Sequence, residues 1–254
     1  GGYSNQQIAS YLGNVPSRGN SIKFPINIFM EGHEVALFYG WKTNGLFQEG
    51  DTMYSINGSM SQPGDIKVLD LNGDGVVDLA DRTVIGNPNP DYVYGFNVNL
   101  SYKGFSMRAL FNGVEGNEIV NGNYYRFGWA EGTYRNIVAD AWYDRWTPDN
   151  PSAAYPRLGY SANLFGALMD RVIEDGSYIR LKSITLNYDI PLSNNNFIDG
   201  ANVYITGSNL FTWTDYSGYD PEITSFLWDG LLQGTDWNNK PNSRSVLVGV
   251  NLNF

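Results

Sequence analysis

The sequence predicts an all-β chain that supplies the carboxyl-terminal strands of a large antiparallel transmembrane β-barrel with long extracellular loops. The first observation is the final strand, where apolar and polar residues alternate with the period of two that separates the faces of a strand. Lipid on one side and a polar lumen on the other produce this pattern in a barrel wall. The apolar set is Val246, Val248, Val250, Leu252 and Phe254, and the opposite set includes Ser245, Asn251 and Asn253.

Composition is the second observation. The chain has 254 residues, and its 29 Gly, 18 Tyr, 7 Trp and 15% aromatic content favour β structure. A hydrophobic content of 42% with a mean hydropathy of -0.32 is too polar for a helical membrane protein. No apolar run reaches the roughly 18 residues that a spanning helix needs. A closed barrel, whose strands are half polar, is then the membrane-spanning alternative.

Charge and cysteine content exclude several classes of protein. The net charge of -10 and the scattered positions of 16 Lys and Arg argue against nucleic-acid binding, which requires a basic patch. The lack of cysteine excludes disulfides and thiolate metal sites. The chain opens on Gly1-Gly2-Tyr3, with neither an initiator Met nor a signal segment. We therefore expect residues 1–254 to be the carboxyl-terminal part of a longer protein and to form one domain.

Strand-like segments recur along the chain, most of them near the 9–11 residues that cross a bilayer at a tilt. Pro25 interrupts the first of them, and Lys103-Gly104 alone separates two others, which predicts a tight hairpin. The predicted strands are Ile22–Met30, Glu34–Phe47, Tyr92–Tyr102, Phe105–Val114, Ser177–Tyr188, Ala201–Trp213 and Ser243–Phe254.

The lengths of the connections are the third observation, because they alternate. Short links at Lys103-Gly104 and Asp189–Gly200 separate long segments at 48–91, 115–176 and 214–242. Outer-membrane barrels have short periplasmic turns and long external loops, so the long segments should lie outside the cell. Within the longest of them, Ile137–Trp146 is the best candidate for a helix, and it ends before the Pro148–Pro151 breaker.

The sharpest local motif lies at residues 70–81 and has the pattern of a calcium loop. Oxygen-bearing side chains occupy positions 1, 3, 5, 9 and 12, with a carbonyl at position 7 and Gly75 at position 6 for the sharp turn. Position 12 is Asp rather than Glu, which shortens bidentate reach. The alternative is an acidic surface turn that binds nothing. The predicted ligands of a structural calcium ion are Asp70, Asn72, Asp74, the Val76 carbonyl, Asp78 and Asp81.

No catalytic residue is predicted, so the chain is not expected to be an enzyme. His33 is the only histidine, which removes Ser-His and Cys-His relays. An acid pair drawn from Glu131, Asp140 and Asp144 is better explained as a solvated helix face. Aromatic residues in the long loops are expected to stack on sugars or to anchor a partner protein, and the alternative is that they only pack the loops together. They are Tyr124, Tyr125, Trp129, Trp142, Trp146, Trp228 and Trp237.

Three stretches of this sequence resemble the SusC/RagA-like TonB-dependent outer-membrane transporters of the Bacteroidetes. They are Phe38-Tyr-Gly-Trp-Lys-Thr-Asn-Gly-Leu-Phe47, the segment from Gly64 through Asp70-Leu-Asn-Gly-Asp-Gly to Asp91-Tyr-Val-Tyr-Gly-Phe96, and Tyr178-Ile-Arg-Leu-Lys-Ser-Ile-Thr-Leu186 followed by Asn209-Leu-Phe-Thr-Trp-Thr-Asp-Tyr-Ser-Gly-Tyr-Asp-Pro-Glu222. The similarity spans nearly the whole chain and corresponds to the last portion of such a transporter.

The resemblance implies a plugged barrel of about 22 strands in the outer membrane. It also implies import of glycans or peptides beneath a SusD-like surface lipoprotein, with energy delivered by TonB through regions that this chain lacks. In that family the terminal aromatic residue, here Phe254, is an assembly signal. The competing hypothesis is a soluble or surface β-rich protein, stabilised by calcium, that binds carbohydrate through the same loop and aromatic residues.

Overall fold

The structure is a computed structural model that describes residues 26–56, 58–127, 136–159, 168–192, 197–222, 233–237 and 239–254. The chain divides into two compact units. Unit 1 comprises residues 1–89, 118–174 and 223–239, and unit 2 comprises residues 90–117, 175–222 and 240–254. The greater part of each long segment between the predicted strands therefore belongs to unit 1.

Strands dominate the described residues, and the helices are short. The strands are β1 (Asn27–Ile28), β2 (Leu37–Gly40), β3 (Thr43–Leu46), β4 (Ser55–Ile56), β5 (Ser59–Met60), β6 (Ile66–Val68), β7 (Val76–Val77), β8 (Thr83–Gly86), β9 (Tyr92–Tyr102), β10 (Phe105–Glu115), β11 (Glu118–Asn121), β12 (Ile173–Asp175), β13 (Tyr178–Ile190), β14 (Gly200–Thr214), β15 (Thr235–Asp236) and β16 (Ser245–Asn253). The α-helices are α1 (Gly122–Phe127) and α2 (Ala139–Tyr143), and 3₁₀ turns lie at Leu79–Asp81 and Asp170–Val172.

Unit 2 is built on a five-stranded antiparallel sheet in the order β16-β14-β13-β10-β9. The β9–β10 hairpin turns at Lys103 and Gly104, both with positive φ (46° and 84°), which is the backbone of a type I′ turn. The strands that were predicted over this region are confirmed within a few residues at each end. The β13 strand carries a bulge on both sides near Leu181, where its register against β10 and β14 shifts.

One face of this sheet is apolar on all five strands. A single row across the sheet shows it: Leu100 pairs with Met107, Met107 with Leu186, Leu186 with Ile205, and Ile205 with Val248. Four of these side chains are exposed, from 43% for Ile205 to 71% for Val248. An apolar surface of this extent is not covered by any described residue of unit 2, so its covering must come from outside the unit.

The opposite face of the sheet is largely polar. In the adjacent row, Asn99 pairs with Arg108, Arg108 with Thr185, Thr185 with Thr206, and Thr206 with Leu247. The Thr185 and Thr206 hydroxyls share a hydrogen bond of 2.9 Å. The two rows together reproduce the alternation that the sequence predicts for a wall between lipid and a polar lumen.

Unit 1 has an ordinary buried core. Its short strands form small sheets in the orders β1-β2-β8, β3-β6, β5-β4-β7 and β12-β11-β15. Phe38, Trp41 and Phe47 are fully buried, and residues from all three chain segments of the unit pack with them or against them. The buried apolar set is Ile26, Phe38, Trp41, Leu46, Phe47, Ile56, Ile66, Val68, Val77, Val120, Trp146, Ala153, Leu168, Met169 and Val172.

The prediction of one long strand at Glu34–Phe47 is wrong. The segment forms the short strands β2 and β3, which pair in different sheets. Gly40 ends β2 where the backbone passes so close to Leu168 that a Cβ would collide with the Leu168 carbonyl oxygen, and Gly45 has a φ of 72°. The Gly40 contact lies at the end of β2, and Gly45 lies inside β3, where the register against β6 shifts.

Two other predictions at this level are only partly met. Of the predicted strand Ile22–Met30, the described part forms strand only at β1, and residues 22–25 lie outside the described residues. The predicted helix Ile137–Trp146 is shorter and runs from Ala139 to Tyr143. No helix among the described residues has the length and apolarity that crossing a membrane would require.

Candidate functional site

A group of charged residues lies at the bulged end of the polar face of unit 2. Arg180 of β13 is 2% exposed and forms ion pairs with Asp220 and with Glu222, the latter at 2.6 Å. Its Nε donates to the Thr212 hydroxyl at 2.9 Å. Lys182 donates to both carboxylate oxygens of Glu222 at 2.8 Å. We call these four charged residues, Arg180, Lys182, Asp220 and Glu222, the ionic cluster.

The ionic cluster also reaches the segment that precedes β16. The Asn242 backbone amide donates to Asp220 at 3.1 Å, and the Asn242 side chain donates to Glu222 at 3.3 Å. Burial alone would raise the pKa of Asp220, but hydrogen bonds from Arg180 and from the Glu222 and Asn242 amides outweigh it and hold the pKa below its ordinary value. Asp220 is therefore charged at neutral pH.

The ionic cluster was not predicted from the sequence, although both of its sequence stretches belong to the resemblance to SusC/RagA-like transporters. Arg180 and Lys182 are two residues apart, as are Asp220 and Glu222. Two pairs of opposite charge with the same spacing were a usable signal that the pairs interact. What the spacing did not reveal was the pairing itself, since about forty residues separate the two pairs.

A pocket of about 470 Å³ opens beside the ionic cluster. Thr212 and Thr214 of β14 line one side of it, and the chain before β16 lines another. The full lining is Arg180, Asn209, Thr212, Thr214, Gly218, Tyr219, Asp220, Pro221, Pro241, Asn242 and Arg244.

The predicted calcium loop at residues 70–81 is a tight turn in unit 1 whose side-chain oxygens accept backbone hydrogen bonds. Asp70 accepts from the amides of Gly73 and Gly75, at 2.7 and 2.8 Å. Asp74 accepts from the Val76 amide at 2.9 Å. Asp81 is fully buried and accepts from Leu71, Asn72 and Asp78 amides, and Asp78 caps the 3₁₀ turn that follows it.

Both ends of this loop are fixed to the core of unit 1. The Trp41 indole donates to the Asp78 carbonyl at 2.8 Å, and the Leu69 amide donates to the Lys42 carbonyl at 2.9 Å. Arg82, which follows the loop, lies with its guanidinium carbon 4.5 Å from the Tyr39 ring centroid and 5.1 Å from that of Trp41. Burial lowers the pKa of Arg82 to about 10, so it remains charged at neutral pH.

The donor set of the loop consists of oxygen atoms, which is the chemistry that calcium requires. In the described part of the chain, however, no three or more His, Asp or Glu side chains are gathered closely enough to hold a metal ion. The residue types therefore fit calcium, while the carboxylates here are directed to backbone amides. Calcium binding by this loop stays a prediction.

The predicted aromatic residues have different surroundings. Trp146 is 7% exposed and donates to Gln48 at 3.0 Å within the core. Tyr124 and Trp237 are partly buried and pack against the same core. Trp142 is 48% exposed on α2, with the Arg145 guanidinium 4.3 Å from its ring centroid. The remaining predicted residues give no side-chain geometry, because Trp129, Trp228 and the side chain of Tyr125 lie outside the described part of the chain.

The chain is similar in sequence to known TonB-dependent receptors. No protein-family model matches the chain. The chain is 34% identical over 229 residues to TonB-dependent receptor P26 of Formosa agariphila, covering 88% of this chain and 23% of that receptor. It is 29% identical over 246 residues to TonB-dependent receptor SusC of Bacteroides thetaiotaomicron, covering 94% of this chain and 21% of SusC. It thus spans about a quarter of the length of these relatives.

A solved structure supports the same relationship. The RagAB peptide transporter superposes with a TM-score of 0.70 at 26% identity, covering 89% of this chain and 24% of the matched chain. The chain belongs to the SusC/RagA-like TonB-dependent receptors, as the sequence analysis predicted. Its sheet is an open part of an antiparallel barrel wall, and its location is the outer membrane. These relatives are receptors and transporters rather than enzymes, as predicted.

Proposed function

We propose that this chain forms part of the wall and of the external loops of a transporter that imports nutrients across the outer membrane. The observation that carries the proposal is the sheet of unit 2, which is apolar on one face and polar on the other across all five strands. Lipid covers the apolar face, and the polar face borders the path of the nutrient. A soluble carbohydrate-binding protein has no use for an exposed apolar sheet face of this size.

The nutrient in this proposal is a glycan or a peptide. Peptide import is supported by the similarity to the RagAB peptide transporter. Glycan import is supported by Trp142, which is 48% exposed, because an aromatic ring offers a sugar a large contact area at low entropic cost. The proposed partners are a SusD-like surface lipoprotein above the loops and TonB, which acts through regions outside this chain.

Uptake by intact cells tests the proposal. A strain that lacks the receptor carrying this chain, and the same strain complemented with it, are given labelled oligosaccharides and labelled oligopeptides. We expect one class of probe to accumulate only in the complemented strain, and a protonophore to abolish that accumulation. Copurification of a surface lipoprotein with the receptor tests the partner. Equal accumulation in both strains for both classes, with the receptor present in the outer membrane, would contradict the proposal.

We further propose that the loop at residues 70–81 binds one calcium ion that stabilises unit 1. The support is the all-oxygen donor set of Asp70, Asn72, Asp74, Asp78 and Asp81, together with two ends that the core already fixes. A preformed loop loses less entropy on binding than a mobile one. The role of the ion would be structural, because an oxygen cage of this kind leaves no open position for substrate activation. The bound ion would hold the loop closed.

Thermal unfolding of the purified receptor, with calcium and with a chelator, tests this second proposal. Calcium at about a hundred times its Kd should stabilise the native state by about 2.7 kcal/mol. The double variant Asp70→Asn/Asp74→Asn should lose that calcium dependence. Asp149→Asn, an exposed acidic residue outside the loop, is the matched control and should keep it. A wild-type receptor whose unfolding temperature is the same in calcium and in chelator would overturn the proposal.

A further inference from the structure

We propose that the pocket beside the ionic cluster recognises a carboxylate group on the imported nutrient and that Arg244 binds this group. The proposal rests on the import function above and names the chemical class of the nutrient. The pocket lies in unit 2, and its walls are described throughout.

Positive charge exceeds negative charge among the charged residues at this pocket. Asp220 pairs with Arg180, and Glu222 pairs with both Arg180 and Lys182. Arg244 lines the same pocket and takes part in none of these ion pairs. The ionic cluster together with Arg244 therefore contains one more cation than carboxylates, although the whole chain has a net charge of -10. In a predominantly acidic protein, a local excess of positive charge is a selective feature toward anions.

The walls of the pocket are also preorganised. The Arg180 guanidinium is held on three sides, by Thr212, Glu222 and Asp220. Asn242, which also lines the pocket, is held to the same carboxylates. A site with rigid walls does not have to order them when the ligand binds, so less binding free energy is lost.

The Arg244 side chain is suited to binding a carboxylate. A guanidinium presents a planar pair of donors that matches the two oxygens of a carboxylate, and such charge-assisted pairs are stronger than neutral hydrogen bonds. Arg244 and Tyr219 both line the pocket and are both exposed, Tyr219 to 73%. A pocket lined by both an aromatic ring and a cation suits a ligand that carries apolar surface as well as a carboxylate. Uronic acids in a glycan and acidic side chains in a peptide both meet this description.

Binding to the full-length receptor, purified in detergent, tests the proposal by calorimetry. The acidic probes are an oligogalacturonate and a Glu-containing peptide, and their matched neutral probes are a malto-oligosaccharide and the same peptide with Gln in place of Glu. We expect an acidic probe to bind more tightly than its neutral match. Arg244→Gln should weaken the binding of that acidic probe about tenfold, which corresponds to about 1.4 kcal/mol.

Arg108→Gln is the matched control, because Arg108 also lies exposed on the polar face but does not line the pocket. It should leave the affinity unchanged. Equal losses in both variants would mean general attraction by positive charge and would overturn the proposal. The proposal would also be overturned if the acidic probes bound no more tightly than their neutral matches or did not bind at all. In that case, continued uptake of neutral nutrients by cells would leave the import function standing, whereas uptake of no probe would count against both.

Discussion

The two units of this chain treat large apolar side chains in opposite ways. In unit 1, Phe38, Trp41 and Phe47 are fully buried. In unit 2, Tyr102 and Val248 are each 71% exposed, and the exposed apolar residues continue across the sheet. The contrast shows that unit 1 has its own buried core, whereas the apolar face of unit 2 is left exposed and, in our proposal, is covered by lipid. Core substitutions in unit 1 should therefore destabilise the purified receptor, whereas charged substitutions on the apolar face of unit 2 should impair assembly in the membrane.

The largest effect is expected from Trp41→Ala in unit 1. The substitution removes a fully buried ring and the hydrogen bond to the Asp78 carbonyl. Loss of a buried large aromatic side chain costs about 3–5 kcal/mol. Chemical denaturation of the receptor, followed by the fluorescence of the remaining tryptophans, should show this loss. Phe105→Ala, which truncates a 61% exposed ring in unit 2, should cost far less in detergent, and equal losses would contradict the comparison.

A smaller effect, specific to the membrane, is expected from Val248→Arg in β16. Val248 lies on the apolar face, and an arginine facing lipid near the bilayer midplane costs about 2–4 kcal/mol. Leu247→Arg is the matched variant, because Leu247 pairs with Thr206 of β14 and therefore lies on the polar face. It should assemble like the wild type. The measurement is the fraction of receptor with heat-modifiable mobility in outer-membrane extracts, and the reverse ranking would show that the faces are exchanged.

Asp220→Asn should have a still smaller effect, because Arg180 keeps its ion pair with Glu222. A charge-assisted hydrogen bond contributes about 1.5–3 kcal/mol. The pKa of Asp220 is lowered on folding, so its contribution is complete above the unfolded-state pKa of about 3.9 and is lost as the pH falls through the folded-state pKa. Below about pH 4, the free energy of unfolding should therefore fall less steeply with decreasing pH in the variant than in the wild type. Denaturant unfolding at a series of pH values measures it.

Deletion of Phe254 should hardly alter stability, since this residue is 82% exposed at the end of the chain. If it is an assembly signal, the deletion lowers the amount of assembled receptor while uptake per assembled receptor stays the same. Quantitative blotting of outer membranes, paired with the uptake assay, measures both quantities. Normal assembly with lost uptake would assign the residue to transport instead.

The sequence was most informative where local pattern determines structure. The β9–β10 hairpin followed from strict alternation and from Lys103-Gly104, because both signals lie within the segment itself. It was least informative in unit 1, where Glu34–Phe47 looks like one strand until Gly40 meets the carbonyl oxygen of Leu168. The ionic cluster was missed for a related reason. Its partners come from separate strands and loops, and a single sequence does not show which distant charges meet.

The pairing of β11 with β15 has a consequence for biogenesis. These strands are parallel neighbours in unit 1, with Val120 opposite Thr235, yet β13 and β14 lie between them in the chain. Contacts between residues so far apart in sequence form late, because the intervening chain must first be closed into a loop. Unit 1 therefore cannot complete its fold until the segment after β14 has been synthesised and exported. During that interval the edge of β11 that pairs with β15 lacks its partner strand, and an unpaired strand edge is prone to aggregation.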